Sequence, residues 1–179
     1  MKQVFDNISH EMSTLTTKRY STSFSLGIKM LHAEIQQPIY SVYGFVRFAD
    51  EIVDSFHGFD KEWLLEDFRK QTYQSITDGI SLNPILNSFQ WVVNKYNIPL
   101  ELIETFLESM KMDLNKQAYD EEQYKKYILG SAEVVGLMCL KIFVDGDEAE
   151  YLRLKPAAMK LGSAFQKINF LRDLNADYK

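Results

Sequence analysis

The chain has 179 residues, the length of one ordinary domain with a real core, and its 46% apolar and 25% charged residues exclude a disordered or fibrous protein. With 20 basic against 25 acidic residues its formal charge is -5, so it carries no electrostatic footprint for wrapping nucleic acid. Any anion it binds requires metal ions or a local basic patch.

Eight Gly and four Pro are too few for an all-β chain that turns every ~8–12 residues, so long helices are the expected elements. The first is expected from about Val4 to Lys18 and a shorter second from about Ser21 to Leu31. A long third opens with Pro38 in its first turn and stops near Gly58, following the usual preference for Pro at the start and Gly past the end. Asp60 caps a fourth that continues to about Gly79. Pro84 opens a fifth, Asn97-Ile98-Pro99 separates it from a sixth ending near Asn115, and Glu121 to Phe143 forms a seventh. After Asp145-Gly146-Asp147 a last helical stretch, with Pro156 near its start or at a kink, reaches the end of the chain. No shift in composition marks a linker, so residues 1–179 read as a single helical domain. The lone Cys139 excludes an internal disulfide and a multi-cysteine zinc site. The opening residues lack the apolar core of a signal peptide, and no run reaches the ~18–20 apolar residues of a membrane span. The expectation is a cytoplasmic protein with room for contact with a membrane surface.

Two of these helices carry parallel stripes. In the third, Ile39, Val42, Val46, Ala49 and Val53 have the spacing of a core-facing face. One position on lie Tyr40, Tyr43, Arg47, Asp50 and Asp54. The last helix repeats the arrangement with Gly162, Gln166, Asn169, Asp173 and Asp177. Each polar ridge thus ends in an Asp-x-x-x-Asp pair. Two aspartates one turn apart repel by roughly 0.2–0.5 kcal/mol, and a bridging cation reverses the sign. Hard oxygen ligands at this spacing suit Mg²⁺, which keeps several waters and binds through one or two carboxylates plus substrate phosphates. A metal-bound diphosphate leaves readily from an allylic carbon, and the carbocation left behind needs an apolar, water-excluding pocket. Phe24, Tyr43, Tyr127 and Phe165 are candidates for its aromatic walls. Either pair alone is also what a solvated, charged helix surface presents. Arg47 and Arg172, which accompany the two pairs, suit bidentate phosphate contacts or salt bridges to the aspartates beside them.

The segments Ser21-Thr22-Ser23-Phe24 and Tyr43-Gly44-Phe45-Val46-Arg47-Phe48-Ala49-Asp50-Glu51-Ile52-Val53-Asp54 resemble the opening of the squalene/phytoene synthase family. Ser109-Met110-Lys111-Met112-Asp113-Leu114 resembles its central methionine-aspartate segment. Tyr127 with Ser131-Ala132-Glu133-Val134-Val135-Gly136 is similar to its channel-lining helix, and Gln166 to Asp177 to its second aspartate-rich motif. The resemblance runs in order along nearly the whole chain, with phytoene synthase as the nearest branch. It implies an all-α isoprenoid-synthase bundle with a central cleft, incomplete at the C-terminus because the family continues with several more helices. It also implies a prenyltransferase: Mg²⁺-dependent head-to-head condensation of two geranylgeranyl diphosphates through a cyclopropylcarbinyl diphosphate, in carotenoid biosynthesis. Mn²⁺ is an acceptable substitute. NADPH is not expected, and prenyl diphosphates are the only small-molecule partners implied.

By the same resemblance Asp50, Asp54, Asp173 and Asp177 hold the metals. Arg47, Arg172, Gln166 and Asn169 bind diphosphate or orient those carboxylates, with Ser21, Ser23 and Tyr127 near it, and Phe24, Tyr43 and Ala132 border the hydrocarbon channel. Two sites depart from the family pattern, and the role of Asp113 stays open. Leu31-His32 and Gln36 stand where relatives have Leu-Pro and a basic residue; Glu133 replaces the small second residue of an Ala-Gly pair, facing away from the channel or altering it; and Asp113 either assists the metal site or is a surface carboxylate. His10, His32 and His57 have no ligand spacing, and the Met residues from Met110 to Met138 read as core filler. Two alternatives stay open: the same chemistry on farnesyl diphosphate, giving dehydrosqualene or squalene, and a non-catalytic family member or inactive fragment acting as a scaffold.

Overall fold

The computed structural model describes residues 1–114 and 119–177, and for residues 170 and 172–177 the helical backbone alone. Among the described residues every regular element is a helix: α1 Lys2–Tyr20, α2 Thr22–Lys29, α3 Ala33–Asp54, α4 Lys61–Asp78, α5 Pro84–Tyr96, α6 Leu100–Leu114, α7 Glu121–Ile128, α8 Val134–Phe143 and α9 Glu148–Asp177. They group into two compact units, Met1–Ile98 and a second from Pro99 onward.

In the first unit α3 is the central element. Phe45 stacks on Phe89 of α5 at 3.9 Å and on Phe68 of α4 at 5.5 Å, and all three rings are buried. The buried side of α3 holds Ile39, Val42, Ala49 and Val53 as expected, but also Tyr40, Phe45 and Ile52, while Val46 is half-exposed. A helix with 3.6 residues per turn buries a stripe wider than a single file. Tyr40, read from its spacing as part of the polar ridge, therefore belongs to the core at 5% exposure.

Helix α1 packs on α3 and α5 through small hydroxyl residues: Ser9, Ser13, Thr16 and Thr17 are buried, and Val4, Ile8, Met12 and Leu15 are exposed. The Ser9 and Thr17 hydroxyls donate to carbonyls one turn back at 2.9 Å, so they cross the interface already satisfied. Gly44 of α3 lies where a Cβ would stand 3.1 Å from Ser13 Oγ, which sets how closely the two helices approach. Asn87 of α5 donates to Asp6 and to Ser9 Oγ, both at 3.1 Å, and completes this polar seam.

Helix boundaries follow their caps. Asp60 accepts from the Trp63 N–H at 3.0 Å, Asn83 caps α5 ahead of Pro84, and Gly79 ends α4 in the left-handed conformation at φ 68°. Pro38 does not open α3: the helix begins at Ala33 and Pro38 sits inside it. The first turn is held instead by Gln36, whose side-chain amide donates to the Leu31 carbonyl at 2.8 Å, and by the Ile35 N–H on His32 O. The helix stops at Asp54, and the Lys61 ammonium donates to the Val53 carbonyl, placing a cation at the negative end of the dipole.

In the second unit the expected single helix Glu121 to Phe143 is α7 and α8 joined by a π-turn at Leu129–Glu133. The turn lies where backbones approach most closely. A Cβ on Gly130 would fall 2.5 Å from Ser109 Cβ and 2.6 Å from the Thr105 carbonyl of α6, and one on Gly162 of α9 would fall 3.0 Å from the Ala132 carbonyl. Met110 and Met138 are buried, as core filler should be, whereas Met112 between them is half-exposed.

Candidate functional site

Within the first unit the N-terminus of α2 and the outer face of α3 bring together most of the residues that the sequence nominates there. Ser21 caps α2, accepting from the Phe24 N–H at 3.2 Å, and lies 3.4 Å from Ser23 Oγ. The Phe24 ring packs against Tyr43 at 5.6 Å with 58% of its own surface exposed. Partial burial lifts the Tyr43 hydroxyl above its ordinary pKa, opposed by the Ser21 hydrogen bond and the Arg47 charge. One turn along α3, Arg47 is half-buried with its guanidinium 4.4 Å from the centre of the Tyr20 ring.

Arg47 contacts two carboxylates of its own helix: Glu51 at 2.5 Å and Asp50 at 3.9 Å. Burial works against the guanidinium charge, but the Glu51 hydrogen bond and the two carboxylates raise its pKa above the ordinary value. Burial likewise pushes the Glu51 carboxyl up, yet hydrogen bonds from Ser55, Arg47 and Tyr20 together with the Arg47 charge hold it below the usual range. Neither Glu51 nor Tyr20 is among the residues singled out in the sequence. The spacing of Glu51 four residues after Arg47 is the signal that could have found it; for Tyr20 only proximity in space reveals the role. Asp50 is half-buried, and Asp54, the last residue of α3, is exposed.

In the second unit Tyr127 is buried at 8% exposure, stacked on Tyr119 at 5.4 Å, and its hydroxyl donates to Asp113 Oδ2 at 3.3 Å. Asp113 is thereby tied to α7. Ala132 lies in the π-turn, and Glu133 beside it accepts a hydrogen bond from the Ser163 hydroxyl of α9, so its carboxylate faces α9. Gln166 and Asn169 are half-buried on α9, and Phe165 is 58% exposed. Helix α9 runs to Asp177, but the side chains of Arg172, Asp173 and Asp177 lie outside the described residues.

The donor set allows a test of which metal would fit. Among the described residues no group of three or more His, Cys, Asp or Glu could enclose an ion. What α3 offers is two carboxylates one turn apart, Asp50 half-buried and Asp54 exposed, on a helix that carries no Cys or His. That set fits a hydrated hard cation such as Mg²⁺ and not a closed tetrahedral zinc site. Among the described residues no helix is long and apolar enough to cross a membrane.

The sequence profile of the squalene/phytoene synthase family matches residues 17–179. A phytoene synthase of Arthrospira platensis is 24% identical over 94% of this chain, which spans 58% of that protein. A 4,4'-diapophytoene synthase of Staphylococcus haemolyticus is 26% identical over 90% of this chain, which spans 56% of it. Among solved structures, squalene synthase HpnC from Alicyclobacillus acidocaldarius superposes with a TM-score of 0.83 at 26% identity, covering 98% of this chain and 65% of that one. A dehydrosqualene synthase crystallised with a ligand superposes with the same TM-score at 24% identity, covering 97% of this chain and 59% of that one, and shows the likeness of fold.

Proposed function

Because the chain belongs to the squalene/phytoene synthase family, we propose that it serves Mg²⁺-dependent head-to-head condensation of two prenyl diphosphates, with geranylgeranyl diphosphate as substrate and phytoene as product. The observation that carries this reading is the single ridge on which Tyr43, Arg47, Asp50 and Asp54 follow one another beside the capped start of α2. Asp50 and Asp54 would hold Mg²⁺, and the resemblance of the second motif extends that role to Asp173 and Asp177. When bound, the metal neutralises the diphosphate and makes it a better leaving group. Arg47 has the planar fork that grips phosphate oxygens, and its raised pKa keeps it charged throughout the working range. Phe24 and Tyr43, packed against each other, present aromatic faces that would stabilise an allylic carbocation without trapping it.

Farnesyl diphosphate is the second reading, favoured by a 4,4'-diapophytoene synthase relative whose 26% identity stands level with the 24% of a phytoene synthase. Incubation of the protein with each diphosphate and Mg²⁺, followed by product analysis, separates the two. Phytoene from the longer substrate is the expected result, and dehydrosqualene from the shorter selects the second reading. A protein that yields no hydrocarbon from either overturns the enzymatic reading.

A further inference from the structure

Arg47 can reach two carboxylates along α3, one three residues on and one four residues on, and the structure gives them unequal shares. Glu51 takes the 2.5 Å contact and Asp50 is left at 3.9 Å. The arrangement is held from outside the helix as well. The Tyr20 ring lies against the guanidinium, its centre 4.4 Å away. Arg47 Nε is buried without a hydrogen-bond partner, so the fork is held through its terminal nitrogens alone, Nη2 on Glu51 and Nη1 toward Asp50.

A guanidinium seated on Asp50 would occupy the lone pairs a cation needs and would repel that cation. Resting on the metal site proposed above, we infer that Glu51 is a positioning residue for Arg47, with the Tyr20 ring backing the guanidinium. It holds Arg47 in the short contact, leaving the guanidinium at 3.9 Å from Asp50 and not closer, and thereby sets the cation affinity of the Asp50 and Asp54 pair. Glu51 need not touch metal or substrate to do so.

The test is a Mn²⁺ titration of the protein, read from the loss of the free-ion electron paramagnetic resonance signal. The proteins compared are wild type, Glu51→Gln, Arg47→Met and the double variant, with Asp50→Asn as control. Glu51→Gln should weaken Mn²⁺ binding about three- to tenfold, as expected for redirecting a partly buried charge contact. In the Arg47→Met background the same substitution should have little effect. Equal weakening with and without Arg47 would show only the loss of a nearby negative charge and would overturn the inference, as would unchanged binding in Glu51→Gln. A wild type with no Mn²⁺ binding that Asp50→Asn removes sinks the metal site itself, and the inference with it. Should Glu51→Gln fail to fold in a thermal melt, Tyr20→Leu carries the test: it removes the ring from the guanidinium and leaves both charges in place, and a smaller weakening in the same direction is expected, with no change counting against the proposal.

Discussion

Helices α3 and α9 carry the same Asp-x-x-x-Asp spacing but are held by their surroundings in different ways. On α3 a buried side runs the length of the helix, with Ile39, Val42, Phe45, Ala49, Ile52 and Val53 locked against neighbouring helices and the opposite face netted by Arg47, Glu51 and Tyr20. On α9, Leu152, Leu161, Phe165, Ile168 and Leu171 are exposed, and the helix is secured where Gly162 meets the π-turn and Ser163 meets Glu133. The same pair of residues, at the same spacing, can thus sit on a ridge fixed along its whole length or on a helix fixed by a close backbone approach. Motif spacing says which residues share a face; packing decides how rigidly that face is presented.

The largest expected effect tests the α3 ridge. On the proposed reading Asp50→Asn should lower product formation by about a hundredfold or more while the circular dichroism spectrum stays helical, because the carboxylate assigned to the metal is lost and the side chain keeps its size and place on α3. A variant with near-full turnover would show that this ridge is not the metal site. The next sharpens the contrast between close approach and open packing. Gly130→Ala drives a methyl into Ser109 and the Thr105 carbonyl and should cost about 1–3 kcal/mol in urea unfolding. Gly27→Ala, where nothing lies within 4 Å of the added Cβ, should instead stabilise α2 by about 0.4–1 kcal/mol. Removing the cap of α4 by Asp60→Ala should cost about 1 kcal/mol, since the Trp63 N–H loses its acceptor.

The smallest effect concerns pH. The Glu51 carboxyl is held below its ordinary value in the folded protein, so its contribution to stability is fully present above the unfolded value of about 4.3 and is lost as pH falls through the lower folded value. Wild type should therefore lose more stability than Glu51→Gln between about pH 5 and the acid limit of folding. Thermal melts across that range check it, and parallel curves would show that Glu51 gains nothing from Arg47.

Much of the fold was legible in local chemistry. Asp60, Gly79, Pro84 and Asn97 punctuate helices where their backbone preferences require, and the third helix declares its buried side by spacing. Pro38 misled because a proline can lie beyond the first turn when side chains such as Gln36 hold the turn before it. The π-turn left no signal because it answers to backbone contacts from α6 and α9 that are distant in sequence. Helix α1 is the clearest reversal: its apolar positions Val4, Ile8, Met12 and Leu15 are exposed, and its small hydroxyls are buried.

By itself, then, the sequence determined an all-helical chain, its caps, its family and the residues that chemistry would require on two helices, since these depend on neighbours within a turn or two. Only the tertiary structure decided that α1 buries serines and threonines, that Glu51 rather than Asp50 takes the short contact with Arg47, and that the Tyr20 ring lies against that guanidinium. Those outcomes depend on which surfaces meet across the fold, and spacing along one helix carries no information about the side chain waiting on the other.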